Sequence, residues 1–357
     1  MDTYQLTLYK QKTRNSNYLL KNYQNITAIK YDDQGRPFYS IKDSEKVIYS
    51  NCFSCKEPKC MHFSKEELNF DIINEFPSDL EHSVCPSQAI TWSIEDSSPS
   101  INSDLCISCA LCIERCDFGA ISFNELNIAE VNSFESEHYE EVEYDKETFN
   151  EIQEHFNSVD RDNYINEVLD GHLQNVYSKI NEINSKLSLQ FPNLISRNLL
   201  IILGMESVIR RRGDVNIRMD LLFSDKSTVG VSEVEFGNDI LNSPRNILDN
   251  IAVLHSRYNT KKEDLCPLII SYSLPNKRSE YWNVIADIKE VTEYKVYSIT
   301  LGALLIILWN RKKLDIEKIK EFYTDYSSYS IRSSLEKVLD NTCSISEGEL
   351  NILEANK

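Results

Sequence analysis

The chain has 357 residues, of which 41% are hydrophobic and 26% charged, and its net charge is −18. That length carries two or three domains with a sizeable core, and the composition excludes a disordered or fibrous chain. The acidic balance argues against nucleic-acid binding by the chain as a whole. The acid is uneven, however: residues 122–190 hold sixteen Asp/Glu against four Lys/Arg, a net of −12, while residues 194–330 nearly balance.

Residues 1–50 read as a β-rich extension: TYQLTLYK, NITAIKYD, a turn at Asp32–Pro37, FYSIKD and KVIYS are short strand signals separated by polar turns. The opening MDTYQLTLYKQKTRN has no continuous apolar core, so no signal peptide is expected. Residues 51–125 hold eight of the ten cysteines. Residues 126–195 form an acidic connector. Its run Glu135–Glu147 reads as a solvated hinge, with docking to a basic partner as the sharper alternative. Its second half reads as a long amphipathic helix, because Leu169, Leu173, Val176, Ile180, Ile183 and Leu187 recur at helical spacing.

From 196 to 330 the pattern is helix, hairpin, helix, strand, helix, strand, a mixed α/β sandwich. Ser196 is the expected cap of a helix running through LLIILGMESVIRRR to Gly213. VNIRMDLLF and VGVSEVEF follow as strands, and Ser243-Pro244 opens the next helix. PLIISYSL is a buried strand, a helix is expected around Tyr281–Val291, and KVYSITLGALLIILWN ends the series as a strand. Its apolar stretch Ile299–Trp309 is too short to span a bilayer, so no membrane partner is expected. Residues 331–357 read as a polar helical tail. The fold class expected is therefore multidomain α+β / α/β.

Two groups of side chains carry chemistry. Cys106, Cys109, Cys112 and Cys116 are spaced C-x2-C-x2-C-x3-C. Two-residue gaps let a loop wrap three thiolates around one corner of a cubane cluster, and the longer gap turns the fourth sulfur elsewhere. A structural zinc knuckle would instead pair two C-x2-C units. CPSQAITW at Cys85–Trp92 and CDFGAISF at Cys116–Phe123 echo each other as an internal repeat. His62 and His82 lie close to the cysteines and read as surface or outer-sphere residues. Cys266 and Cys343 read as buried thiols.

The cysteine run resembles the dicluster bacterial ferredoxin family. That resemblance implies two [4Fe–4S] clusters, one on Cys52, Cys55, Cys60 and Cys116, the other on Cys85, Cys106, Cys109 and Cys112. The chain departs from the family in the four-residue gap before Cys60, the long insert between Cys60 and Cys85, and Asp117 in place of proline. A zinc site or a three-iron cluster stays open for the first set. Oxygen-sensitive clusters without an export signal point to the cytoplasm.

The second group is acidic. Alternation along VNIRMDLLF puts Arg218 and Asp220 opposite Ile217, Met219, Leu221 and Phe223, and along VSEVEF it puts Glu233 and Glu235 opposite Val234 and Phe236. Paired as a hairpin, the strands bring Asp220, Glu233 and Glu235 together as an oxygen cluster suited to Mg²⁺ or Mn²⁺. Without a cation at least one carboxyl should hold a proton. The bland reading is the wet face of an antiparallel sheet, with Glu206 and Arg210 as an i,i+4 surface pair on a helix.

This order of elements resembles the PD-(D/E)xK, restriction-endonuclease-like superfamily. The resemblance implies Asp220 and Glu233 as catalytic metal ligands, Glu206 as an auxiliary acid and nucleic acid, DNA before RNA, as substrate. Glu235 stands where the family usually has lysine, and Met219 where it has proline. Arg210, Arg211, Arg212 and Arg218 would be phosphate contacts. The leading expectation is an iron–sulfur protein that is also a divalent-metal-dependent nuclease, with defence against foreign nucleic acid as an analogy. The alternatives are an electron-transfer protein with an inactive nuclease-like docking domain and a redox or protein partner, or a redox-responsive nucleic-acid binder.

Overall fold

The computed structural model describes residues 6–11, 26–28, 41–43, 46–49, 58–73, 76–93, 98–116, 120–124, 126–131, 134–135, 139–144, 161–214, 219–226, 228–237, 239–343, 345 and 350–357. Cys52, Cys55, Asp117, Ile217 and Arg218 lie outside them. The chain divides into two compact units, residues 1–62 with 83–164, and residues 63–82 with 165–357. Residues 63–82, placed by the sequence in the cysteine-rich domain, thus belong with the second unit.

In the first unit, β1 (Leu6–Gln11), β2 (Ile26–Ala28), β3 (Ile41–Asp43) and β4 (Lys46–Tyr49) come first. The hairpin β5 (Ile90–Ser93) and β6 (Ser98–Ile101) precedes the short helix α1 (Leu111–Glu114). A second hairpin, β7 (Ile121–Phe123) with β8 (Ala129–Val131), follows. The two hairpins pack on each other through β6 and β8.

The described residues of the acidic run are strand and not the expected hinge. The run contains β9 (Phe134–Glu135), which joins β4, and β10 (Tyr139–Tyr144), which pairs antiparallel with β1 along its whole length. Val142 and Tyr144, two residues apart, are register partners of Leu8 and Leu6. Val142 and Tyr144 thus show in the sequence a period of two that fits a strand.

The second unit begins with the expected long helix, α2 (Arg161–Ile183), on which Leu173, Val176, Ile180 and Ile183 are buried. The next helix, α3 (Phe191–Ile202), starts at Phe191-Pro192, not at Ser196, which is buried inside it. It also stops early. Met205 N–H donates to Leu200 O and Gly204 N–H to Ile201 O, both at 3.0 Å, a Schellman stop with Gly204 at φ +106°. Only glycine takes that conformation without cost, so the glycine inside LLIILGMES ends the helix.

The chain then enters a five-stranded mixed sheet: β11 (Glu206–Ile209), β12 (Leu221–Ser224), β13 (Val229–Glu235), β14 (Leu265–Ser271) and β15 (Tyr297–Thr300), in that spatial order. The first three strands are antiparallel, and β13, β14 and β15 are parallel. Parallel neighbours need crossovers, supplied by α4 (Ser243–Tyr258) and α5 (Tyr281–Thr292). Helix α3 packs on β11, β12 and β13, and α4 on β13 and β14. β14 is buried throughout, as PLIISYSL required.

At β15 the sequence expectation is half right. The strand ends at Thr300, whose hydroxyl caps α6 (Leu301–Trp309) by accepting from Ala303 N–H at 3.2 Å. All nine residues of α6 are buried in the unit. Among the described residues no helix is long and apolar enough to cross a membrane. After α7 (Ile316–Lys320), the only helix among the described residues of the polar tail is α8 (Arg332–Leu339). Beyond it Ile352 and Leu353 are fully buried, and Ile352 O accepts from the Thr300 hydroxyl at 2.8 Å.

Gly230 shows how tightly the sheet is packed. It pairs with Phe223 across β12 and β13, and a Cβ at Gly230 would come within 2.1 Å of the Phe223 ring. Gly230→Ala should therefore destabilise the second unit by about 1–3 kcal/mol, as overpacked cores do. Adding Phe223→Leu should return part of that loss in urea unfolding. Additive losses would place the strain elsewhere.

Candidate functional site

The first unit gathers its thiols. Cys60, Cys106 and Cys116 share a buried core with Met61, Ala89, Ala120, Ile121 and Ala129, and Cys85 and Cys112 pack against it. Burial pushes the Cys109 thiol far above its ordinary range, and the charges of Cys85 and Cys106 push it further. Cys112 is raised in the same way by burial, then by Cys109, Cys85, Cys106 and Cys60. Cys85, Cys106, Cys109 and Cys112 are thus electrostatic neighbours although Cys85 is separated from the others in sequence.

The backbone is shaped around them. Ser108 and Ala110, on either side of Cys109, hold φ of 60° and 68°. Two left-handed non-glycine residues so close together are uncommon and mark a functional loop. The two echoed segments also behave alike. Ala89 N–H donates to Cys85 Sγ at 3.2 Å and Ala120 N–H to Cys116 Sγ at 3.1 Å, each entering its own hairpin. Arg115 reaches back from beside Cys116 to donate from Nε to Lys59 O at 2.7 Å, which holds the Cys60 turn against the cysteine loop. His62 and His82 are exposed.

Cys109 and Cys112, with their raised pKa values, would stay protonated by themselves. Cationic iron removes that penalty by taking thiolates, and amide donors to sulfur are a usual support of such clusters. The donor set fits an iron–sulfur cluster. Among the described residues no three His, Cys, Asp or Glu side chains are placed to hold a single metal ion. A cubane spreads its thiolates more widely than one ion does, so that result bears on a single divalent ion at the carboxylates, while Cys52 and Cys55 lie outside the described residues.

Residues 99–122 match the family model of the 4Fe-4S binding domain. This chain carries an iron–sulfur-binding segment. The match covers Cys106, Cys109, Cys112 and Cys116, whereas Cys60 and Cys85 lie upstream of it. A comparison with curated proteins gave no match.

The carboxylates sit in the second unit. Leu221 pairs with Ser232, so the next step of the register sets Asp220 beside Glu233. Asp220 Oδ2 accepts from Val234 N–H at 3.1 Å. Burial raises the Asp220 pKa, against the Val234 amide, Arg210 and Asn193, while Glu235 adds to the rise. Burial and then Asp220 push Glu233 up to about 7, despite amide donors from Asn246 and Asn250. The hairpin therefore brings these acids close enough to feel one another.

They do not form an ion cage. The Glu233 oxygens accept from Asn246 Nδ2 at 2.8 Å and Asn250 Nδ2 at 3.2 Å, and Glu235 Oε1 takes the Gly237 N–H. Neutral donors hold oxygens that a Mg²⁺ or Mn²⁺ ion would need. Glu206 is misplaced in the sequence reading: it begins strand β11 opposite Ser224, at the end of the strand away from Asp220. An i,i+4 pair with Arg210 has no meaning on a strand. Arg210 instead continues β11, and its N–H donates to Asp220 O at 3.2 Å. The residue that reaches Asp220 from the preceding helix is Asn193. Sequence reasoning missed Asn193, Asn246 and Asn250. The last two, four apart on α4, carried a signal as a polar pair on one helix face.

Proposed function

We propose that this is a redox protein whose [4Fe–4S] cluster is held by Cys85, Cys106, Cys109 and Cys112, with the second unit serving as a docking module of nuclease-like form. The observation that carries this reading is the convergence of four thiols, Cys106 and Cys109 buried and Cys85 and Cys112 half-buried, around a loop with two left-handed residues. The cluster supplies one-electron chemistry. The chain excludes water from it with Ile107, Ala110 and Leu111, all buried, and directs an amide at the sulfur of Cys85. Cys60 and Cys116, with Cys52 and Cys55, would hold a second cluster. A partner of the electron-transfer type follows from this function.

The test is reversible reduction. Anaerobic protein should bleach with dithionite and recover its visible absorption on reoxidation, with one electron taken up per cluster. Protein whose colour is unchanged by reductant would contradict the reading.

A second reading, phosphodiester hydrolysis, is favoured by the order α3-β11-β12-β13-α4-β14 and by Asp220 beside Glu233. In that case Asp220, Glu233 and Glu235 would take Mg²⁺ or Mn²⁺ by exchanging the asparagine amides for the ion. Plasmid DNA incubated anaerobically with Mn²⁺ decides between the two. The redox reading predicts no cleavage above that of Asp220→Ala, whereas the hydrolytic one predicts cleavage that this substitution abolishes.

A further inference from the structure

The segment CPSQA (Cys85–Ala89) folds back on its own first sulfur. Gln88 N–H donates to Cys85 O at 3.2 Å, closing a four-residue turn with Pro86 in its second place. Proline presets the backbone there, and Gln88 then takes a left-handed φ of 57° that turns the chain inward. The turn brings two groups to Cys85 Sγ: the Ala89 N–H at 3.2 Å and the Ser87 hydroxyl at 3.4 Å.

Pro86 and Ser87 are both buried, although serine is usually left to water. A buried hydroxyl needs a partner, and among the described residues its partner is Cys85 Sγ. Between a thiol and a hydroxyl either group can donate. A thiolate on iron has no proton to give, so there the hydroxyl must be the donor. The echoed segment CDFGA (Cys116–Ala120) repeats the amide on sulfur but has Phe118 in the place of Ser87. Phenylalanine carries no hydroxyl, so this donor belongs to the Cys85 turn.

We propose that Ser87 is a positioning residue for electron transfer: its hydroxyl, directed at Cys85 Sγ, raises the reduction potential of the cluster on Cys85, Cys106, Cys109 and Cys112. The inference rests on the cluster assignment made above. An electron taken up there adds negative charge that spreads onto the ligand sulfurs. A donor to one of them is therefore held more strongly in the reduced state and favours it. A purely structural Ser87 would fill space in the turn, and its replacement would change how much iron is held, not how readily it is reduced.

An anaerobic titration of the full chain with dithionite, with iron counted on every sample, tests this. Ser87→Ala should hold as much iron as wild type and be harder to reduce by about threefold to tenfold, about 30–60 mV lower for one electron. Ser87→Thr keeps the hydroxyl and should stay near wild type. If both sets of cysteines are filled, two potentials are read, and Ser87→Ala should move one of them. An unchanged potential in iron-replete Ser87→Ala overturns the role of Ser87 and leaves the cluster assignment standing. So does an equal fall in Ser87→Thr, or a fall in both potentials together. Where Ser87→Ala holds no iron, Ser87→Gly removes the same hydroxyl from the turn and is titrated under the same criteria. A wild-type chain that takes up no iron overturns the cluster assignment, and the role of Ser87 with it.

Discussion

Cys85→Ser is expected to cost the chain its cluster as completely as Cys109→Ser. Iron should fall from about four atoms per site to well below one, with loss of the visible absorption. The expectation is sharp because Cys85 lies outside the segment that matches the iron–sulfur family model. What places it with the others is geometry: its charge acts on Cys109 and Cys112, and its sulfur receives the Ala89 amide. Cys266→Ser should leave iron unchanged, since Cys266 is buried in the other unit. If Cys85→Ser keeps its cluster and Cys116→Ser loses it, the ligand set is wrong.

The second large effect concerns Glu233. Its carboxyl titrates at about 7 in the folded protein against an ordinary 4.5, so the folded state binds the proton more tightly than the unfolded one. Stability from this group is full below about pH 4.5 and is lost as pH rises to about 7. Such a shift in a mostly buried group corresponds to roughly 2–3 kcal/mol. Glu233→Gln cannot titrate and should lack that decline, so it should gain on wild type by this amount between pH 4.5 and pH 8. Urea unfolding followed through the buried Trp282 and Trp309 reports on the right unit. Parallel pH profiles would mean that Glu233 is not held protonated.

The order of β12, β13, β14 and β15 in the second unit was legible because each carried a local signal. PLIISYSL is an unbroken apolar run, and VGVSEVEF alternates up to a polar turn. What failed did so where a single residue outweighs a pattern. Gly204 cuts an apparently continuous helix and thereby moves Glu206 from a helix onto an edge strand. Thr300 converts an apolar run from strand to helix. In the acidic segment, charge masked the period of two shared by Val142 and Tyr144. The cysteine site was readable from spacing, since the loop itself supplies most of the geometry. The carboxylates were only half readable. Register set Asp220 beside Glu233, but the asparagines that occupy the Glu233 oxygens come from a helix whose docking no local pattern specifies. The membership of residues 63–82 in the second unit was invisible for the same reason, because an insert between two cysteines gives no sign of which unit it joins.

The most direct test of the central claim is a count of metal and inorganic sulfide in the full chain purified without oxygen. The account predicts iron and acid-labile sulfide in equal amounts, about four of each per chain for the one cluster and about eight if the second set is also filled. Zinc as the main metal, with no sulfide, would contradict it.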